Sequence, residues 1–210
     1  MIVPEKKRKI AKILSLIVIV TSIMVIIGWI FDIGILKSIS PEWVSMKLST
    51  AVTFVLSGVS LYFIARAREG EFDIAQVVLS ITSLIIVLLM GIFFFSALLK
   101  INTGVEDLFI KEQAGAVKTV VPGRPSVPTM LNFLFIAAAG VLTMLNPKKL
   151  RSKLRIIGLI VGIIGAVPVV GYIINVPLLF YFIEGINSAV AFNTAVLFVL
   201  LGKGLVCLSD

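Results

Sequence analysis

Residues 13–31 read ILSLIVIVTSIMVIIGWIF, a run without a single charged side chain. A helix needs about 20 mostly apolar residues to cross roughly 30 Å of hydrocarbon, and this run supplies them. Lys6, Lys7, Arg8, Lys9 and Lys12 stand directly before it. Behind it, Gly28-Trp29-Ile30-Phe31-Asp32 reads as a membrane interface with Trp29 at headgroup depth. A basic start and an apolar run could also serve as a signal peptide. This run is long and no small-x-small cleavage site follows, so a retained helix is expected.

Five further segments qualify on the same grounds: about 48–65, 74–99, 128–145, 156–180 and 188–208. The whole chain is 59% hydrophobic and 14% charged, with a mean hydropathy of +1.14. Soluble domains are about 45–50% apolar and about 25% charged, so polar surface is too scarce to cover a water-soluble globule. The expected fold is an all-α polytopic membrane protein. Residues 1–210 form a single domain of six transmembrane helices arranged as three helical hairpins. Backbone groups in lipid must pair within their own segment, which leaves helices as the reading for runs this long. The ten-residue alternation of a β-barrel is not visible. The third and fifth spans exceed the needed length, so tilt or extension beyond the lipid is expected. The second carries Thr50, Thr53, Ser57 and Ser60 and should face protein more than lipid.

Charge placement predicts the orientation. Thirteen Lys and Arg residues flank one side, among them the N-terminal cluster, Arg66, Arg68 and the run from Lys148 to Arg155. Six lie on the other: Lys37, Lys47, Lys100, Lys111, Lys118 and Arg124. Short cytoplasmic loops are rich in Lys and Arg, so a multi-pass protein of the cell membrane with both termini cytoplasmic is expected. Residues 101–127 become the longest extracytoplasmic loop. The net charge of +8 then reports topology, and nucleic acid is not an expected partner. With one cysteine and no histidine, disulfide frameworks, His-ligated metals and Ser-His-Asp catalysis are excluded. No catalytic set, cofactor or metal site is expected, and the protein does not read as an enzyme.

A pattern recurs at the start of each even-numbered span: Thr50, Phe54 and Gly58; Thr129, Phe133 and Ala137; Thr194, Phe198 and Gly202. Spacing of i, i+4 and i+8 puts each set on one helical face. The copies lie 79 and 65 residues apart, one per hairpin. Structurally, Thr and the preceding Ser or Asn can cap the helix start, Phe fills space, and the small residue admits a neighbouring helix. Functionally, the three Thr/Phe sets could line a shared ligand pocket.

Gly104-Val-Glu106-Asp-Leu108-Phe109, then Pro122-Gly123-Arg124-Pro-Ser126-Val-Pro128-Thr129 and an apolar helix, resemble the outer loop and fourth helix of a prokaryotic sensor region. That region is a six-helix membrane input module found N-terminal to PAS-containing histidine kinases and diguanylate cyclases. Gly171-Tyr172-Ile-Ile-Asn-Val176-Pro177-Leu-Leu-Phe180 and Phe192-Asn193-Thr194-Ala195 are similar to its final helix pair. Two departures are Pro125 and Met130, where that family's motif has Met and Ala. No PAS, kinase or cyclase segment follows the sixth span. The resemblance therefore implies either a module acting through a separate partner or the input part of a longer chain.

Ionisable groups inside spans are the usual functional flags in membrane proteins, and these helix centres are almost free of them. Asp32, Glu42 and Glu184 fall near outer helix ends. Glu184, in a short apolar loop, could hold a cation or a ligand, or be a solvated loop carboxylate. Lys203 should snorkel to the interface. Val105, Leu108 and Phe109 share a face of a short interfacial helix that could cover a binding site. Gly158, Gly162, Gly165 and Gly171 permit close helix contact, and Pro168 should kink the fifth helix and free a carbonyl. The leading expectation is a sensor-like input module that relays a cue to a cytoplasmic signalling partner. A small transporter or channel and an accessory subunit bound to other membrane subunits are the rivals. The lipid bilayer is an expected partner, and a homo-oligomer is compatible.

Overall fold

The computed structural model describes residues 3–101, 103–107, 112 and 115–209. Its elements are α1 (Glu5–Ile30), the one-turn α2 (Gly34–Lys37), α3 (Leu48–Ala67), α4 (Phe72–Leu99), α5 (Val127–Leu145), α6 (Leu150–Ile173) and α7 (Phe192–Ser209). Two 3-10 turns sit in the loops, at Val105–Asp107 and Pro177–Phe180. Six of the helices are long and apolar enough to cross a membrane, so the chain is a multi-pass membrane protein by length and composition. The described residues contain no β-strand beyond an isolated bridge between Ile183 and Asn187.

Helix ends follow local chemistry. Pro128 lies in the first turn of α5, where its missing N–H is not needed. Lys100 and Asn146 close α4 and α5 in left-handed conformation, with Pro147 after the latter barring continuation. Two boundaries correct the hydropathy reading. The fifth span does not run to residue 180: α6 stops at Ile173, Asn175 takes φ 53°, and the Val176 amide folds back onto the Gly171 carbonyl at 2.9 Å. The sixth helix begins at Phe192. Residues 188–191 are non-helical, with Ala189 donating to the Lys118 carbonyl and Val190 to that of Phe180, both at 3.0 Å. In both places apolar side chains pack on the loop-bearing end of the bundle, which hydropathy cannot distinguish from a continuing span.

The closest helix pairs are α1 with α3, α4 with α5, and α6 with α7, which are the three hairpins. The second helix of each hairpin is central and the first peripheral. In their most apolar stretches α3, α5 and α7 are 61%, 50% and 56% buried, against 33%, 33% and 39% for α1, α4 and α6. Lipid tails are as apolar as Leu, so tight packing and polar contacts, not burial from water, hold such helices together. The small residues supply the tightness. A Cβ on Gly202 would stand 2.6 Å from the Gly158 carbonyl and the Gly162 nitrogen, and one on Gly58 would stand 2.6 Å from the Ile19 side chain. The glycines of α6 are therefore packing residues. Pro168 lies inside α6, and the Tyr181 hydroxyl donates to the Ile164 carbonyl that Pro168 leaves without a partner, at 3.3 Å.

α1 begins and α7 ends at the same end of the bundle. There Lys12 pairs with Glu69 at 2.6 Å, joining α1 to the α3–α4 turn. The opposite end carries α2, the long loop and the α6–α7 loop, and is termed the cap end below.

Candidate functional site

The repeated positions converge. Phe54, Phe133 and Phe198 meet on the bundle axis with centroid separations of 4.7, 4.7 and 4.9 Å, all in tilted or edge-to-face geometry. Such pairs contribute about 0.5–1.5 kcal/mol each beyond area burial. One turn closer to the cap end, Thr50, Thr129 and Thr194 line a common cavity of about 10 Å³ with Ser45, Lys47 and Ser126. That is room for a single water molecule. The three threonines are 2%, 3% and 2% exposed. Thr129 shares a 2.8 Å hydrogen bond with Ser126, whereas the hydroxyls of Thr50 and Thr194 make none among the described residues.

This placement corrects the capping expectation for two of the three copies. Thr50 is the third residue of α3, which has no side-chain cap, and Ser126 bonds Thr129 in place of a first-turn amide. The amide of Val127 is instead satisfied by Asn187 Oδ1 from the α6–α7 loop at 3.2 Å. In the third copy Asn193 Oδ1 does accept from the Thr194 amide, at 3.1 Å. Freed from capping, the threonines turn inward.

Two buried ion pairs close the cap end, each next to the start of a central helix. Lys47, immediately before α3, donates to Glu112 Oε1 at 2.5 Å and to Thr119 Oγ1 at 2.7 Å. Both charged side chains are 5% exposed. Glu112 also accepts from the Gly123 amide at 2.8 Å, and Ser49 donates to the Gly123 carbonyl at 3.3 Å. Arg124, shortly before α5, donates to Glu106 Oε1 at 2.7 Å, to Ser96 at 2.9 Å and to the Ile101 carbonyl at 2.8 Å, tying α4 to the loop. Burial pushes the Lys47 ammonium below its ordinary pKa of 10.5, against the pull of Glu112. Burial also works to raise the Glu106 carboxyl, yet hydrogen bonds from Arg124, its own amide and Ser96, with the Arg124 charge, bring it below 4.5. Gly123 is obligatory here: its φ is 73°, and a Cβ would stand 2.2 Å from the Glu106 carbonyl oxygen.

Beside this cap lies an outer cavity of about 780 Å³, lined among others by Trp29, Lys37, Trp43, Ser45 and Glu112. That size suits a small molecule. Lys37 bridges Asp32 at 2.6 Å and lies 4.9 Å over the Trp29 ring. Glu184 joins none of this: it sits exposed in the turn between Ile183 and Asn187. Val105 opens a 3-10 turn, while Leu108 and Phe109 lie outside the described residues. Lys203 is exposed and Glu42 lies at the surface.

The Thr/Phe sets are thus legible in the sequence, and the ion pairs are not. Lys47 and Arg124 read as two of six outer cations, and Glu112 carries no local signal because its partner is 65 positions away. The one usable hint is Pro122-Gly123-Arg124-Pro125, a turn motif directly before a span. Among known proteins, no family model matches this chain, and no curated protein or solved structure is significantly similar to it.

Proposed function

We propose that this protein is a sensor-like input module of the cell membrane, with both termini cytoplasmic, which passes a cue from its cap end to a cytoplasmic partner through α7. The observation that carries this reading is the Phe54–Phe133–Phe198 contact. Lys47 immediately precedes α3, seven positions before Phe54, and Arg124 stands nine before Phe133. A change in either ion pair therefore reaches, within about two helical turns, a ring pressed on α7. From Phe198 to Ser209, α7 runs on as one helix, held against α6 by the glycine contacts of Gly202. The outer cavity beside Lys47 and Glu112 offers a cue a place to act. The Lys/Arg asymmetry supports the orientation.

Cross-linking from Cys207, the single thiol near the end of α7, tests the proposal in native membranes. Capture of a soluble kinase or cyclase module is expected, and a Cys207 that captures nothing cytoplasmic overturns it. Transport is the second reading, favoured by the polar Thr ring. Against it, the Phe rings close the axis beneath that ring, and Thr53 and Ser57 donate back to Ser49 and Thr53 within α3. Solute flux in vesicles, lost in Thr50→Val or Thr194→Val, would move the assignment to transport.

A further inference from the structure

A second cleft, of about 730 Å³, opens between the cap end of α4, the start of α5 and the α6–α7 loop. Its walls include Ala97, Val121, Pro128, Leu178, Tyr181 and Ile186, with Lys100 at its rim. Three observations bear on its occupant. First, several of its lining residues are apolar yet exposed: Leu178 at 67%, Ile186 at 77% and Ile183 at 43%. Groups of that kind at the end of a span lie against lipid. Second, Lys100 is the exposed residue that terminates α4, so its ammonium stands at the cap end of a candidate span. It has no acidic partner among the described residues. Third, no carboxylate is among the lining residues: Arg124 lines the wall with its charge paired to Glu106, and Glu184, between the lining Ile183 and Gly185, is exposed and not itself part of the wall.

From the positive rim, the apolar walls and the opening at the span boundary, we infer that this cleft binds an anionic phospholipid of the surrounding leaflet. One acyl chain lies along Leu178, Ile186 and Pro128, and the phosphate is held at Lys100. The site shares Pro125 with the threonine-lined cavity, and within its wall the Val120 amide donates to Ser188 at 2.9 Å, so an occupied cleft braces the loop from which α5 starts. Binding there stands independently of any signalling role.

The test is photolabelling of the full chain in nanodiscs with phosphatidylglycerol carrying an acyl-chain diazirine, and phosphatidylcholine with the same chain as comparison. Adducts are mapped by peptide mass spectrometry. Labelling concentrated on residues 97–100, 120–130 and 178–188 is expected, stronger for the anionic lipid. Lys100→Gln should lower it about fivefold, the scale of one lost surface charge. Ile186→Trp, a substitution at an exposed position, should lower it by filling the cleft mouth. Adducts spread evenly over the exposed faces of α1, α4 and α6, or equal labelling by both lipids with Lys100→Gln unchanged, would overturn the assignment.

Discussion

Replacing Lys47 by Met removes the cation from a pair in which both side chains are 5% exposed. Glu112 then stays buried with the Gly123 amide at 2.8 Å and a weak 3.4 Å contact from Ser45 as its remaining donors. Breaking a buried pair from one side costs about 3–5 kcal/mol, because the orphaned charge has lost its compensation. The two surviving donors bring the expected loss to the lower part of that range. In Lys47→Met/Glu112→Met no charge is stranded. What remains is the loss of acceptors for the Gly123 amide and of a donor for Thr119, about 1 kcal/mol each. The double variant should therefore be more stable than Lys47→Met alone, with a coupling energy above about 1 kcal/mol. Steric-trapping unfolding in bicelles reads all four corners of this cycle. Single variants each within about 0.5 kcal/mol of the parent, or strict additivity, would refute a buried, charge-paired cap.

Other substitutions probe separate parts of the bundle. Gly123→Ala forces a Cβ into left-handed backbone and against the Glu106 carbonyl, so a loss of at least about 1–2 kcal/mol is expected in the same unfolding assay. Phe133→Ala removes one ring of the mutually packed triad and should cost about 3–5 kcal/mol, with Phe133→Leu recovering part of it; thermal unfolding in detergent is the check. Gly202→Val would place a Cβ within 2.6 Å of the Gly158 carbonyl and the Gly162 nitrogen, pushing α7 from α6, and is expected to abolish the native fold, visible as loss of the monodisperse species in size-exclusion chromatography. Glu106 provides the pH dependence. Because its pKa is lower in the folded protein than its ordinary 4.5, its stabilisation is present above pH 4.5 and disappears as pH falls through the lowered value. Glu106→Gln should flatten that acid limb while leaving the profile above pH 6 parallel to the parent.

Periodicity carried the reading where chemistry is local. Apolar runs located six helices, and the Thr–Phe–small spacing identified the face that meets its counterparts on the axis, since side chains at i, i+4 and i+8 must share a side. Where structure depends on partners far along the chain, the sequence was silent. Asn175 and Pro177 sit inside an apolar run and break it, a local signal that hydropathy averaging hides. Lys47 and Glu112 find each other only after the long loop folds back over α3, so neither residue announces burial. Ser126 is left free to bond Thr129 because Asn187, from another hairpin, satisfies the start of α5 in its place.

The coupling from cap to α7 is tested most directly by pulsed electron paramagnetic resonance between a spin label on Cys207 and one introduced by Lys148→Cys at the same end of the bundle. The distances are compared with and without the Lys47→Met substitution at the opposite end of the bundle. If the cap governs α7, loosening it shifts the distance distribution or adds a second population. A distribution identical in the two proteins, with the cap demonstrably destabilised, would contradict the proposed relay.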